Sequence, residues 1–194
     1  MSSAFLVLHY QNSVAHPNGI WGSELFSQIS KDETYTNAKH ALETARRAGL
    51  LVVYVNVAFR PNAPEVPQDL FGIVAHARSS DQCLAGSWGT QPIEELAPLE
   101  GEVQLDNFNS DAFQGTALDQ ILRAQGVTKI YLIGQVIEHM VGTSMKRAAN
   151  SGYKAVLLAD CVGGYSDVTR EAMLDILQGY GRISTSTEFA TEMK

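Results

Sequence analysis

The sequence predicts a single α/β domain built in three layers, α/β/α, around a mostly parallel sheet. Short apolar runs alternate along the chain with segments whose apolar residues recur at helical spacing. The apolar runs are nearly continuous, which is typical of parallel strands that helices cover on both faces. A chain of 194 residues suits one domain, and we expect it to span residues 1–194.

In the first half of the chain, residues 4–10 (AFLVLHY) and 50–57 (LLVVYVNV) are predicted strands. Residues 35–48 between them are a predicted helix that ends at Gly49. Its buried face is predicted to consist of Ala38, Ala41, Leu42 and Ala45. Residues 60–100 are rich in proline and glycine, so we expect a long excursion with short helical pieces. Excursions of this length usually serve as lids or interface arms.

The second half repeats the alternation more clearly. Strands are predicted at residues 103–105, 129–133, 154–159 and 182–184. Helices are predicted at residues 117–124, with Thr116 as its cap, at about 140–150, and at 169–178. We expect a polar tail after residue 184.

The composition excludes several classes of partner. The formal net charge is −7 and the sequence contains no basic stripe, which argues against nucleic acid and against anionic membranes. The apolar stretch near the N-terminus lacks a basic flank, so it is predicted to be a strand and not a signal peptide. Cys83 and Cys161 have no second cysteine near them, which indicates reduced thiols in a cytoplasmic protein. No motif indicates a cofactor.

In an open parallel sheet, ligands bind outside the carboxyl ends of the strands, where the strand order reverses. Three strand ends then matter most. They lie after His9, around residues 106–111, and after Gly134.

Residues at these strand ends resemble the isochorismatase-like family, whose fold is Rossmann-like. The family includes nicotinamidases, N-carbamoylsarcosine-type amidohydrolases and isochorismatases. Residues 134–160 (GQVIEHMVGTSMKRAANSGYKAVLLAD) are similar to its strand, elbow, helix and second strand. Residues 111–116 (DAFQGT) resemble its Ser-Ala-Phe-x-Gly-Thr, and residues 6–12 (LVLHYQN) its Ile-Asp-x-Gln-Asn. The likeness covers nearly the whole chain, from Phe5 to about Glu188.

At the centre of the expected site, this sequence differs from the family at three positions. In family hydrolases an Asp takes a thiol proton, a Lys supports the anionic species, and a Cys thiolate attacks a carbonyl. These positions correspond to His9, Asn107 and Met140 in this sequence. A thioether has no ionisable proton and an amide carries no charge, so the acyl-enzyme route is excluded. Isochorismatases proper also lack the Cys but keep the Asp and Lys.

Several interpretations of the site stay open. His9 is either a general base or a histidine that keeps a hydrogen bond once made by the Asp. His139, next to Met140, is a candidate to join His9 in a new acid–base set. Together with Glu138, the two histidines form a conceivable zinc site, but the spacing matches no recognised metal motif and we expect none. Asp106 replaces Asn107 at the lysine position if the alignment slips by one residue.

Other residues are expected to shape a small-molecule pocket. The expected substrate-binding residues are Gln11, Phe59, Trp88, Phe113, Val136, Ile137 and Glu138. The alternative for the aromatic members, and for Phe108, is packing in the core or lid. Met140 is expected to fill the former nucleophile pocket. Arg60 is either a partner for a ligand carboxylate or half of a surface ion pair.

Two functions follow from the resemblance. The first is hydrolysis of a small molecule by altered, water-based chemistry, with His9 as base and Asn107 as a polarising donor. The second is a family member without catalysis, which binds a small molecule or serves as a subunit of an assembly. In either case the resemblance implies a homo-oligomer, a dimer or a tetramer.

Overall fold

The computed structural model describes residues 2–22, 25 and 33–194, and within them six strands form one parallel sheet. The strands are β1 (Ser2–Leu8), β2 (Leu51–Val57), β3 (Val103–Asn107), β4 (Val127–Gly134), β5 (Lys154–Val162) and β6 (Arg182–Ser184). Their order across the sheet is β3-β2-β1-β4-β5-β6. The chain leaves β1 in one direction for β2 and β3 and then returns to its other side for β4. The strand order therefore reverses between β1 and β4.

Seven helices connect and cover these strands in the described residues. They are α1 (Asn12–Ala15), α2 (Thr34–Arg47), α3 (Ile73–Arg78), α4 (Leu118–Ala124), α5 (Gly142–Asn150), α6 (Asp167–Leu177) and α7 (Ser186–Glu192). A single π-helical turn, Ile137–Val141, leads into α5. The predicted three-layer α/β architecture is confirmed.

Successive side chains of a strand point to opposite sides of the sheet, and the four central strands β1, β2, β4 and β5 are buried on both sides. Leu6 and Leu8 pack with Leu118, Met145 and Leu177 of α4, α5 and α6. Phe5 and Val7 pack on the other side, against α2 and α7. The predicted buried face of α2 is confirmed, since Ala38, Ala41, Leu42 and Ala45 are all buried. Gly49 ends this helix with a left-handed φ of 67°, a conformation that glycine adopts without steric cost.

The residues after β6 correct one prediction. Instead of a polar tail they form α7, whose Phe189 is fully buried. Thr185 and Glu188 build a capping box at its start, the Thr-x-x-Glu spacing that signals a helix N-terminus. The Asp160 carboxylate accepts hydrogen bonds from the Ser186 amide at 2.8 Å and the Ser186 hydroxyl at 2.6 Å. The tail is therefore an integral part of one helical layer.

The predicted cap at Thr116 is shifted by one residue. The helix begins at Leu118, and the Thr116 hydroxyl accepts the Leu118 amide at 3.2 Å from just outside the helix. The excursion at residues 60–100 contains α3 and three short 3₁₀ turns, as expected, at Asp81–Cys83, Trp88–Thr90 and Glu94–Leu96. It packs back on the domain through two backbone contacts. The Phe59 amide donates to the Cys83 carbonyl at 2.8 Å, and Gln11 and Pro92 form an isolated antiparallel β-bridge. No helix among the described residues is long and apolar enough to span a membrane.

We predict that Phe189→Ala destabilises the protein by about 3–5 kcal/mol, because the ring is fully buried and packs on Phe5 and Tyr131. Urea unfolding followed by circular dichroism measures the loss. Val168→Ala is the control, since Val168 is 78% exposed and its truncation should change stability by less than about 0.5 kcal/mol. Equal effects from the two variants would contradict a structural role for α7.

Candidate ligand site at the strand ends

The carboxyl ends of β1, β3 and β4 place three predicted residues together. His9 follows β1 directly, and its backbone amide donates to the Val55 carbonyl at 2.9 Å. Asn107 is the last residue of β3, and Met140 lies in the π-helical turn after β4. All three side chains are buried. The topology therefore brings side chains from three separate parts of the chain to one point beside the strand-order reversal.

His9 and Asn107 form a direct hydrogen bond. The His9 Nε2 atom lies 3.0 Å from Asn107 Oδ1. The Asn107 Nδ2 atom donates to the carbonyl of Asn109 at 2.7 Å, which orients the amide oxygen towards His9. An amide oxygen only accepts, so Nε2 of His9 carries the proton and donates it. Asp106, the neighbour of Asn107, is exposed on the other side of the strand and is not part of this contact.

Met140 completes the group. Its sulfur lies 3.9 Å from Asn107 Nδ2 and 3.6 Å from the Ser144 hydroxyl, both of which donate to it. The same Ser144 oxygen accepts the Ala112 amide at 3.0 Å, so the Ser144 hydroxyl links Met140 to the loop after β3. A flexible, polarisable thioether suits this filling role. His9, Asn107 and Met140 are a continuous chain of contacts, which we call the neutral triad.

Burial controls the charge of the neutral triad. Desolvation lowers the pKa of His9 to about 4, and the hydrogen bond to Asn107 opposes that shift only in part. Asn107 and Met140 carry no ionisable group. The triad is therefore uncharged at neutral pH.

A pocket that is partly open to solvent lies beside the neutral triad. Aromatic and aliphatic side chains dominate its walls, and it also contains His9, Met140 and His139. Its aromatic lining consists of Trp21, Phe59, Phe108 and Tyr165.

Two local features position the pocket walls. A Cβ atom on Gly115 would lie 2.5 Å from the Phe108 ring, so glycine at this position lets Phe108 occupy its place. The excursion contributes Ile73, Val74 and Ala77 of α3. Their spacing puts them on one helical face. The excursion is thus a wall of the pocket in this structure.

His139 lines the pocket and does not touch His9 in any described hydrogen bond. Its ring meets Tyr165 edge-on with 5.6 Å between centroids. Burial lowers the pKa of His139, while the neighbouring Glu138 carboxylate raises it. His139 is consequently a second uncharged imidazole that faces the pocket at neutral pH.

Glu138 points elsewhere. Its Oε1 accepts the Tyr165 amide at 2.9 Å and the Thr169 hydroxyl at 2.6 Å, so it holds the loop before α6. It does not line the pocket. Among the described residues there is no group of three His, Cys, Asp or Glu side chains that can hold a metal ion.

Of the remaining residues predicted for the site, some line the pocket and others support the strands and core around it. Phe59 and Val136 line the pocket. Gln11 is fully buried and braces β2, accepting the Val57 amide at 2.6 Å and donating to the Val57 carbonyl at 2.9 Å. Ile137 is fully buried in the core outside the pocket lining.

Trp88, Phe113 and Arg60 lie outside the pocket. Trp88 is 44% exposed and packs edge-on against His16. Phe113 packs on Tyr153 in the core, as the alternative interpretation expected. Arg60 forms an exposed ion pair with Glu65 at 3.3 Å.

Sequence reasoning missed part of the lining. Trp21, Ile73, Val74 and Gln135 come from segments whose contact with the strand ends only the fold reveals. One signal was available for α3, because Ile73, Val74 and Ala77 have the spacing of an amphipathic helix. Nothing in the sequence distinguishes Gln135 from an ordinary surface glutamine.

A parallel sheet with a pocket at its strand-order reversal is the architecture of Rossmann-like proteins, whose ligands bind at this point of the sheet. Residues 3–189 match the Isochorismatase domain family model, and the chain belongs to that family. It is 26% identical to the ureidoacrylate amidohydrolase RutB of Caulobacter segnis, over 97% of this chain and 84% of that protein. It is 29% identical to the maleamate amidohydrolase of Pseudomonas putida, over 79% of this chain and 71% of that protein.

Solved structures agree with this fold. The N-carbamoylsarcosine amidase of Thermoplasma acidophilum superposes with a TM-score of 0.77 at 27% identity, over 96% of this chain and 97% of its own. A cysteine hydrolase from Pseudomonas syringae superposes with a TM-score of 0.85 at 22% identity, over 98% of this chain and 92% of its own.

We predict that His9 makes the stability depend on pH. Folded His9 stays neutral down to its pKa of about 4, whereas a histidine in the unfolded chain binds a proton near pH 6.5. Between these values the unfolded state binds more protons, so the free energy of unfolding falls as the pH falls from about 6.5 to 4. Above about pH 6.5 His9 contributes no pH dependence.

His9→Asn tests this, because asparagine tolerates the positive φ of 51° at this position. Wild type should lose about 3 kcal/mol more than the variant between pH 7.5 and pH 4 in urea unfolding. Titrations of all other groups are shared by both proteins, so the difference isolates His9. Parallel stability curves would show that His9 is not held neutral by burial.

Proposed function

We propose that this chain binds a small molecule at the strand ends and does not carry out the cysteine-dependent hydrolysis of its family. The observation that carries this proposal is the neutral triad of His9, Asn107 and Met140. The three positions that the family resemblance assigns to Asp, Lys and Cys hold uncharged side chains in contact with one another. A covalent acyl-enzyme needs a nucleophile, and a thioether cannot supply one.

The three replacements support one another physically. A carboxylate or an ammonium buried alone is strongly destabilising, whereas an uncharged set with satisfied hydrogen bonds is not. Had only the Asp position or only the Lys position changed, an unpaired charge would remain at a buried position. Instead Asn107 both accepts from His9 and donates to Asn109. This pattern favours a site that has been rebuilt for stability and retains its pocket.

A second candidate function is hydrolysis by water activated on an imidazole. His9 is a poor base for this role. Its Nε2 atom donates its proton to Asn107 in a hydrogen bond, and its lowered pKa makes the imidazole a weaker base. His139 is the better candidate, since it lines the pocket and makes no hydrogen bond to the triad. This alternative predicts turnover that His139→Ala abolishes.

The deciding experiment is a thermal-shift screen of the wild-type protein against small amides, carbamoyl compounds, ureidoacrylate and maleamate, with turnover measured for every ligand that raises the Tm. We expect stabilisation without turnover. A ligand that is consumed, with a pH–rate profile that His139→Ala removes, would establish hydrolysis instead. A screen in which no compound raises the Tm would refute small-molecule binding.

We predict that Met140→Cys alone produces no efficient amidase, because the new thiol has neither a carboxylate base nor a neighbouring cation. The triple variant His9→Asp, Asn107→Lys, Met140→Cys restores all three groups and is the matched comparison. Amide hydrolysis is measured for both variants on the same panel. Substantial turnover by the single variant would contradict this account of the site.

A further inference from the structure

A second cleft lies in the excursion, apart from the pocket beside the neutral triad. Its lining shares only Phe59 with the lining of that pocket. The cleft is open to solvent and offers ≈ 240 Å³ of space to water-sized groups. Most of its lining is polar, and we call it the arginine cleft. The polar lining residues are Arg60, Asn62, Arg78, Ser80 and Asp81.

Arg78, the last residue of α3, brings an unpaired cation to the arginine cleft. Among the described residues it forms no ion pair, not even with Asp81, which lines the same cleft. Its Nε atom is shielded from solvent and has no hydrogen-bond partner in the same part of the chain. A guanidinium donor that has lost water without gaining an acceptor destabilises a protein. Arg78 therefore has unused capacity to bind an oxyanion.

Arg60 supplies a second guanidinium, which Glu65 holds in place. The Glu65 carboxylate accepts the Arg60 amide at 3.0 Å and the Arg60 Nε at 3.3 Å. The Glu65 side chain is only 6% exposed and does not line the cleft, whereas the Arg60 side chain is 71% exposed. This pairing uses one side-chain nitrogen of Arg60 and leaves its two Nη groups without a partner among the described residues. Arg60 therefore forms its surface ion pair and still has donors for an anion.

Two uncharged donors lie in the same cleft. The Ser80 hydroxyl oxygen accepts the Gln82 amide at 3.2 Å, and its own proton has no acceptor within the described ranges. Asn62 adds a carboxamide at the exposed turn after Arg60. Guanidinium, hydroxyl and amide groups all donate to phosphate oxygens, and a planar guanidinium can do so with two parallel hydrogen bonds. The donor set of the arginine cleft therefore suits an oxyanion.

The number of donors distinguishes between classes of oxyanion. A phosphate group presents three strong acceptor oxygens, enough to accept from both guanidinium groups and from the Ser80 hydroxyl at once. A carboxylate presents only two oxygens. Asp81 is the one acidic side chain in this lining, and its exposed carboxylate opposes any bound anion. The arginine cleft thus favours phosphate, and Asp81 is expected to limit the affinity.

We propose that the arginine cleft binds the phosphate group of a small molecule through Arg60 and Arg78. These two residues lie at the ends of residues 60–78, so a phosphate bound to both ties the ends together. That segment includes α3, three of whose residues line the pocket beside the neutral triad. A bound phosphate therefore holds one wall of the pocket in place. The site is distinct from the pocket and does not depend on the function proposed for it.

Calorimetric titration of the wild-type protein with inorganic phosphate tests the site, at pH 7.5 and constant ionic strength. Acetate is the matched carboxylate. We expect phosphate to bind about tenfold or more tightly than acetate, and to raise the Tm. Equal binding of the two anions, or no binding of phosphate, would overturn the proposal.

Two variants of the cleft should change the phosphate affinity in opposite directions. Arg78→Gln removes the unpaired cation and should weaken binding about tenfold, whereas Asp81→Asn removes the opposing charge and should tighten it about threefold. Arg147→Gln is the matched control, because it removes the same charge from an exposed residue of α5 outside the cleft. Equal losses from Arg78→Gln and Arg147→Gln would reduce the effect to net charge. If Arg78→Gln does not fold, an unchanged affinity in Asp81→Asn refutes the site by itself.

Tryptophan fluorescence tests whether bound phosphate holds α3. The chain has two tryptophans, so Trp88→Phe leaves Trp21 as the single reporter. Trp21 is 8% exposed and meets the ring of His76 on α3 with 5.6 Å between centroids. Phosphate should lower the acrylamide quenching constant of Trp21 in Trp88→Phe, and should leave it unchanged when Arg78→Gln is added. Equal quenching with and without saturating phosphate would show that phosphate does not hold this wall of the pocket.

Discussion

The position of β1 is the constraint on which the rest of the structure depends. This strand pairs with β2 on one side and β4 on the other, and helices cover both of its faces. Its end therefore lies at the middle of the sheet edge, at the reversal of strand order. His9 follows at that point, with its backbone amide bound to β2. A side chain placed there meets residues from β3 and from the turn after β4.

The same geometry is compatible with the proposed function, in which the site loses the cysteine chemistry while the fold is kept. Supporting residues around the pocket are held by backbone hydrogen bonds that do not depend on the triad's charge. Gln11 braces β2, Glu138 holds the loop before α6, and Asp160 caps α7. None of these contacts requires a thiol or a lysine. The neutral triad thus lies inside a frame of contacts that do not depend on it.

Much of the fold could be predicted because hydrophobic spacing alone encodes it. The run LVVYVNV is apolar at nearly every position and rich in β-branched residues, which indicates a strand covered on both faces, and α2 shows its buried face in the spacing of Ala38 and Leu42. The tail after β6 was mispredicted although Thr185 and Glu188 carry a capping signal. The segment is held against the sheet by the buried Phe189 ring, whose partners Phe5 and Tyr131 are distant in sequence.

The sequence by itself determined the α/β class and the absence of a nucleophile at position 140, because residue type alone decides whether a thiolate can form. Tertiary structure alone decided that His9 donates to Asn107, and that His139 faces the pocket and Glu138 does not. These are statements about hydrogen-bond direction and desolvation. Both depend on neighbours from other strands, so the spacing of residues along the chain does not contain them.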